Sequence, residues 1–485
     1  MSAPRLRLAE VERFERRVRL RIPFRFGVIT VTEATQAIIR ARVEIEGGGS
    51  SWGVAAECLG AKWFDKDPRF TDAQNLDQLR QSIDVATGLY RDAGPATPFG
   101  LWARTYHAQL RAGAELGLVP LVASYGPALL DRAVLDALGL ARGAGFAAMM
   151  RADEAGIAAE AAALAPDLAG FAMDRFLAAL APREAIELRH TVGLLDPLAD
   201  AARTGPPVDD GLPETLEEVV RARGGRWYKL KVCGRIDEDI DRLSRIAAVL
   251  DALPAYRVTL DGNEQFDDVE GFSALWDRMG RTPSLARLRA ATAFAEQPVR
   301  RAVALQRPVG ALVAGLPLVI DESDGDLDAF PAALAIGYSG VSTKNCKGLY
   351  KSLLNAARIA RLRAAVPGKE VFMSAEDLTT WPGASLQQDL ALVGLIGLAH
   401  VERNAHHFID GMCFAPPAEQ AGFAVAHPAL YDMSSGTARL RAPGGTIDLR
   451  SLGCPGFAVG AAHDFASMAP MPPAPGGRIA PAPGG

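Results

Sequence analysis

Three acidic residues stand where short apolar runs end: Asp261 closes RVTLD, Glu296 closes AFAE, and Asp321 closes LPLVID, with Glu322 beside it. About one strand–helix unit separates each from the next. If the runs are successive parallel strands of a barrel, their carboxyl ends share one mouth. Three carboxylates crowded there repel and raise one another's pKa. A hard divalent cation with oxygen ligands resolves that conflict, and Mg²⁺ suits the donor set, with Mn²⁺ as the other candidate. One such acid is more commonly a helix cap; three in succession, with lysines on both flanks, favour a metal.

Those lysines are Lys229 and Lys231 in WYKLKVCG and Lys344 in GVSTKNCKG. Two residues apart on a strand, Lys229 and Lys231 point the same way. Inside a barrel that is costly for an ammonium unless an anion lies near. A lysine beside a metal and a second lysine is expected to have its pKa lowered towards a general base near neutral pH. The plain structural role for each is a salt bridge to one of the acids.

Eight strand-like runs between residues 186 and 410 must position these groups: IELRHTVGL, WYKLKVCG, YRVTLDGNE, AFAEQP, LPLVIDESD, GVSTKNCKG, EVFMSAEDL and LAHVERNAH. Most are continuously apolar, as buried parallel strands are, and helical stretches separate them. The expected fold is α/β, a (β/α)₈ TIM-type barrel with an N-terminal α+β capping domain. Residues 1–145 supply that domain: Arg17 to Ala41 alternates apolar and polar, a Gly-Ser turn follows at EGGGSSWG, and amphipathic helical stretches come after. Residues 146–185 read as an Ala-rich helical connection, 411–465 as a C-terminal segment packing back on the capping domain, and 466–485 as a disordered Pro/Gly/Ala tail.

Composition excludes several functions. The 485 residues carry a formal net charge of −5, with 49% hydrophobic and 22% charged residues, which suits a globular protein and offers no field for nucleic acid or an anionic membrane. The longest nearly unbroken apolar run, Leu390 to Ala399, is about half of what spans a bilayer. The N-terminus has no secretory pattern, and five scattered cysteines without C-x-x-C fit a reducing compartment. A cytoplasmic protein is expected.

The K-x-K, Asp, Glu, Asp, Lys series resembles the enolase superfamily, within it the muconate lactonizing enzyme-like subgroup of the mandelate racemase/muconate lactonizing enzyme family. The matching residues are KLK (Lys229, Lys231), DGNE (Asp261, Asn263), EQP (Glu296), DES (Asp321, Glu322), TKNCKG (Lys344) and SAEDL (Glu376). The resemblance implies a Mg²⁺-dependent isomerase or lyase in which a lysine removes the proton α to a substrate carboxylate and the metal holds the enolate. Lys231 and Lys344 would be base and acid on opposite faces, with Lys229 orienting the carboxylate or tuning Lys231. Asp261, Glu296 and Asp321 would be the metal ligands, and Asn263, Glu322 and Glu376 would support them or touch substrate. Ile22 to Thr30 and Trp52 to Asp65 would be the capping loops that choose a small-molecule carboxylate; a homo-oligomer is expected. Racemisation or epimerisation, cycloisomerisation and dehydration all remain open.

One departure is TKNCKGLYK, with one Gly and an extra Lys347 where a Gly-Gly turn is usual; Lys344 is preferred because it lies at the strand end. Another is MGRTPSLARLRA, expected as a loop insertion. His406 and His407 are more simply turn histidines than site residues, His190 a satisfied barrel histidine, DGDLD (Asp324 to Asp328) a solvated turn, and Cys346 a small core residue. Competing functions are a non-catalytic binding barrel and, with less support, a Schiff-base aldolase that uses a barrel lysine.

Overall fold

A computed structural model of the chain describes residues 3–203, 205–309, 313 and 315–481. The chain opens with an antiparallel meander of β1 (Leu6–Phe26), β2 (Ile29–Ile45) and β3 (Gly49–Cys58). Strand alternation gives the middle strand two buried faces. Ala37, Ile39, Ala41 and Val43 face the covering helices, whereas Ile38 joins Ala56 against the barrel. Helices Asp72–Asp92, Pro98–Glu115 and Tyr125–Arg142 cover the first face. Thr71 starts the first of them with a reciprocal Thr71–Gln74 capping box. Short helices Phe146–Arg151, Ile157–Leu164 and Met173–Ala178 then lead to the barrel.

The barrel comprises β4 (Ala185–Val192), β5 (Trp227–Lys231), β6 (Arg257–Asp261), β7 (Thr292–Glu296), β8 (Leu318–Ile320), β9 (Gly340–Thr343), β10 (Phe372–Ala375) and β11 (His400–Arg403). All eight are parallel to one another around the ring, and β11 pairs with β4 to close it. Each coincides with one of the eight apolar runs. Beyond them lie a ribbon of β12 (Tyr431–Asp432) and β13 (Arg439–Leu440), then β14 (Thr446–Asp448) antiparallel to β4, then β15 (Ala469–Pro470) antiparallel to β1.

The structure differs from the sequence expectation in four places. Ile22 to Thr30 is the tip of the β1–β2 hairpin, strand up to Phe26 and again from Ile29, rather than a loop. Trp52 to Cys58 is strand, paired with β2 throughout, so only Leu59 to Asp65 arches over the barrel mouth. MGRTPSLARLRA is the end of helix Val269–Arg281 followed by helix Ala286–Ala291, because Met279, Leu285 and Leu288 are buried. Residues 466–481, expected to be disordered, lie along the capping domain. Gln81 donates to the carbonyls of Pro475 (2.8 Å) and Gly477 (2.7 Å), and Gln74 to that of Ala480 (2.8 Å). Proline removes N–H donors but leaves the carbonyl acceptors, which these glutamines use. Residues 482–485 of that expected tail lie outside the described residues. No helix among the described residues is long and apolar enough to cross a membrane.

Candidate active site

Strand register sets the first half of the site. Lys231, Asp261 and Glu296 are direct neighbours across β5, β6 and β7, so their side chains enter the barrel mouth side by side. Lys231 Nζ lies 2.6 Å from Asp261 Oδ2. Lys229, two residues earlier, is within 2.6 Å of Glu296 and 2.8 Å of each of Asp261, Glu376 and Glu402. Burial opposes its charge, but these four carboxylates outweigh burial and hold its pKa well above the ordinary lysine value. Burial likewise works against Asp261, yet Lys229 and Lys231 keep it below the usual carboxylate range. Glu296 fares differently. Fully buried and crowded by Asp261 and Glu376, it is pushed well above that range, although Lys229 lies 2.6 Å from its Oε2.

Asp321 follows β8 and faces the other way round the mouth. Lys344 Nζ is 2.6 Å from its Oδ2, while Lys347 and the Ser342 hydroxyl hold Oδ1. Burial opposes the Asp321 charge, but Lys344 and Lys347 keep its pKa well below the carboxylate range. For Lys344, burial is outweighed by Asp321 and Glu296, which raise its pKa. The two lysines of the sixth barrel strand separate here. Lys344 lines the mouth cavity, whereas Lys347 turns behind Asp321 to Asp324 (3.0 Å).

The capping domain completes the mouth. A small cavity is bordered from above by Phe24, Phe26 and Trp63 and from below by Lys229, Lys231 and Lys344. The Lys344 ammonium sits 4.2 Å from the centre of the Trp63 ring, a cation–π contact. Arg301 anchors the arch by donating to the carbonyls of Trp63 (2.9 Å) and Phe64 (2.7 Å) while gripping both oxygens of Glu264. Lys66 reaches Glu264 (2.7 Å), Glu322 (3.1 Å) and the Asn263 carbonyl (2.9 Å). Asn263 donates its amide N–H to Asp261 Oδ1 at 2.8 Å and its side chain to Glu322 at 3.3 Å. Non-glycine residues with positive φ follow three of the strands: Asn263 (41°) and Glu264 (68°) after β6, Gln297 (34°) after β7, and Thr379 (51°) after β10. Such strain collects where a site over-determines its backbone.

No protein-family model matches the sequence, and no curated protein does. Solved structures do match in fold. An enolase from Streptomyces coelicolor superposes with a TM-score of 0.59 at 16% identity, over 95% of both chains. An enolase from Bradyrhizobium complexed with magnesium and mandelic acid gives 0.57 at 17% identity, over 95% of this chain and 97% of that one. The L-Ala-D/L-Glu epimerase from Bacillus subtilis gives 0.57 at 16% identity, over 94% and 99%. This chain has the capped-barrel enolase fold.

On that fold the sequence-predicted residues fall into two groups. Lys229, Lys231, Asp261, Asn263, Glu296, Asp321, Glu322, Lys344 and Glu376 are all buried at the barrel mouth. Yet no three acids, histidines or cysteines among the described residues stand at mutual metal-ligand spacing. The Lys229 ammonium lies between Asp261 and Glu296, and Lys344 and Lys347 draw Asp321 to the other side. The donors nevertheless fit a hard cation: three carboxylates, one of which, Glu296, has a buried Oε1 that no hydrogen bond satisfies. Lys229 would keep Glu376 and Glu402 if Asp261 and Glu296 turned to a metal.

Outside the mouth, His190 faces away from the barrel interior, its Nδ1 3.3 Å from His406 Nε2 and its ring 5.0 Å from that of His407. Burial lowers the pKa of all three. Asp324, expected on a solvated turn, is buried between Lys347 and Lys351 (3.2 Å); Asp326 instead accepts the amides of Asp328 and Ala329, both at 3.0 Å. Cys346 is buried in the core around helix Tyr125–Arg142.

Sequence reasoning missed Glu402, which accepts from Thr191 (2.6 Å), Lys229 (2.8 Å) and the Asp377 amide (2.8 Å). The clue was available, since Glu402 closes the eighth apolar run as Asp261 closes the third. Trp63 and Lys66 left no comparable pattern, because only docking of the capping domain brings them to Lys344, Glu264 and Glu322; Arg301 starts a four-residue helix, too short for a periodic signal.

Proposed function

We propose that this chain abstracts the proton α to the carboxylate of a small molecule, with lysines on the two faces of the substrate and Mg²⁺ held by Asp261, Glu296 and Asp321. One observation carries this reading: Lys231 and Lys344 line the same cavity from β5 and from the end of β9, four strands apart in a ring of eight, beside those three acids. A substrate α-carbon between them has one amine on each side. The lysine that is neutral takes the proton, and the charged one opposite can deliver a proton to the other face. A bound Mg²⁺ supplies positive charge where the carboxylate gains electron density. Lys229, braced by Glu376 and Glu402, adds fixed positive charge, and Asn263 holds Asp261 in place. Phe24, Phe26 and Trp63 line the mouth from the capping side and give a bound acid an apolar wall. Racemase, epimerase, cycloisomerase and dehydratase chemistry share this first step.

Exchange of the α-proton with D₂O tests the proposal, using a pooled set of α-substituted carboxylates with and without Mg²⁺. Mg²⁺-dependent exchange that disappears in Lys231→Ala and in Lys344→Ala is the expected outcome; exchange that survives in both ends the lysine assignment. A second reading, a barrel that binds without turnover, draws on the lysine partners that Asp261, Glu296 and Asp321 already have. It predicts no exchange for any acid. Schiff-base chemistry would need no metal and gives the three acids Asp261, Glu296 and Asp321 no role.

A further inference from the structure

A second cavity, open to solvent, lies outside the barrel and is bordered by Arg223, His406, Asp432, Ser434, Arg439 and Arg441. Arg21, Arg223 and Arg439 are close enough here to repel. Two of them have carboxylates. Arg21 grips Asp210 through two nitrogens, one at 2.8 Å, and Arg439 Nε lies 2.6 Å from Asp410 Oδ1. Arg223 has no carboxylate partner among the described residues. Its Nη2 donates to the His406 carbonyl at 3.3 Å, and its Nε is buried with no partner. Burial and then the neighbouring Arg21 and Arg439 lower its pKa to about 10. Arg223 ends helix Leu216–Arg223, where a cation is favoured by the helix dipole, but that does not satisfy a buried Nε. Guanidinium hydrogen bonds suit planar or tetrahedral oxyanions, and an uncompensated buried charge is expensive. Arg441 is exposed at the rim, with one long contact of 3.4 Å to the Pro428 carbonyl. The acid on the rim, Asp432, already accepts from the Ser434 amide (3.0 Å) and hydroxyl (2.8 Å).

We propose that this cavity is a binding site for a small oxyanion, a phosphate or carboxylate group seated on the Arg223 guanidinium with Arg439 and Arg441 at its rim. The site stands apart from the barrel mouth and does not depend on the chemistry there.

Calorimetric titration of the full chain in chloride at matched ionic strength tests it, with inorganic phosphate in one arm and succinate in the other. One saturable binding event is expected in at least one arm, and the arm that binds identifies the anion class. Arg223→Met should weaken it at least about tenfold, as loss of a charge-assisted hydrogen bond does. Arg441→Ala, an exposed change that spares the fold, should weaken it less, and Lys344→Ala should leave it intact. Absence of binding in both arms overturns the proposal. So does equal binding in wild type and either arginine variant, or binding lost in Lys344→Ala alone, which would place the anion in the barrel mouth.

Discussion

Glu296 and Asp321 are both fully buried acids, yet burial drives one towards its neutral form while the other stays charged. The difference is the company each keeps: Asp321 meets two lysines, whereas Glu296 shares Lys229 with three other carboxylates. The proposed divalent cation would relieve the crowding of carboxylates at Glu296. Glu296→Gln should therefore abolish any rise in melting temperature on adding Mg²⁺ while leaving the metal-free melting temperature equal or higher, read by thermal unfolding with and without the ion. The lysines should also divide. Lys347→Ala takes one of two lysines from each of the buried Asp321 and Asp324 and should cost stability, about 2 kcal/mol by denaturant titration; Lys344→Ala should remove exchange. At this scale the sequence showed the residues whose place at a strand end announces them. The raised lysine pKa values were hidden, because they depend on how many carboxylates surround each ammonium, and Glu376 and Glu402 come from strands far along the chain.

The meander β1–β3 and helix Tyr125–Arg142 meet closely enough that glycine is required at one point. A Cβ on Gly53 would stand 2.2 Å from the Ala133 carbonyl oxygen and the Ala137 nitrogen, both backbone atoms that cannot step aside. Gly53→Ala should destabilise the protein by about 3 kcal/mol, measured as a shift of the denaturant midpoint. The eight barrel strands were legible because each is a short apolar run buried on both faces. Trp52 to Cys58 was mistaken for loop because a strand sandwiched between helix and barrel shows no polar alternation: Ala55 faces the capping core while Ala56 faces the barrel.

Across the whole molecule, capping domain and barrel share buried charges. Glu57 on β3 lies 3.1 Å from Arg132 and feels Asp389 and Asp377 of the barrel; burial above all raises its pKa, to about 7, against the pull of Arg132. The folded chain thus keeps a proton that the unfolded chain releases near the ordinary value of about 4.3. Stability from this group is full below that value and is lost as pH rises to about 7. Glu57→Gln removes the slope, so its melting temperature relative to wild type should climb between about pH 5 and pH 7, followed by a pH series of thermal melts. None of this was legible in the sequence, since it arises only where two separately folded layers touch. Closure of those layers puts Trp63 over Lys344 and borders a cavity with a lysine on each side. The most direct test is α-proton exchange in D₂O, with Mg²⁺ and a broad set of carboxylates, in wild type, Lys231→Ala and Lys344→Ala. Mg²⁺-dependent deuterium uptake in wild type alone is the predicted result; uptake that persists in both variants, or none in wild type, contradicts the account.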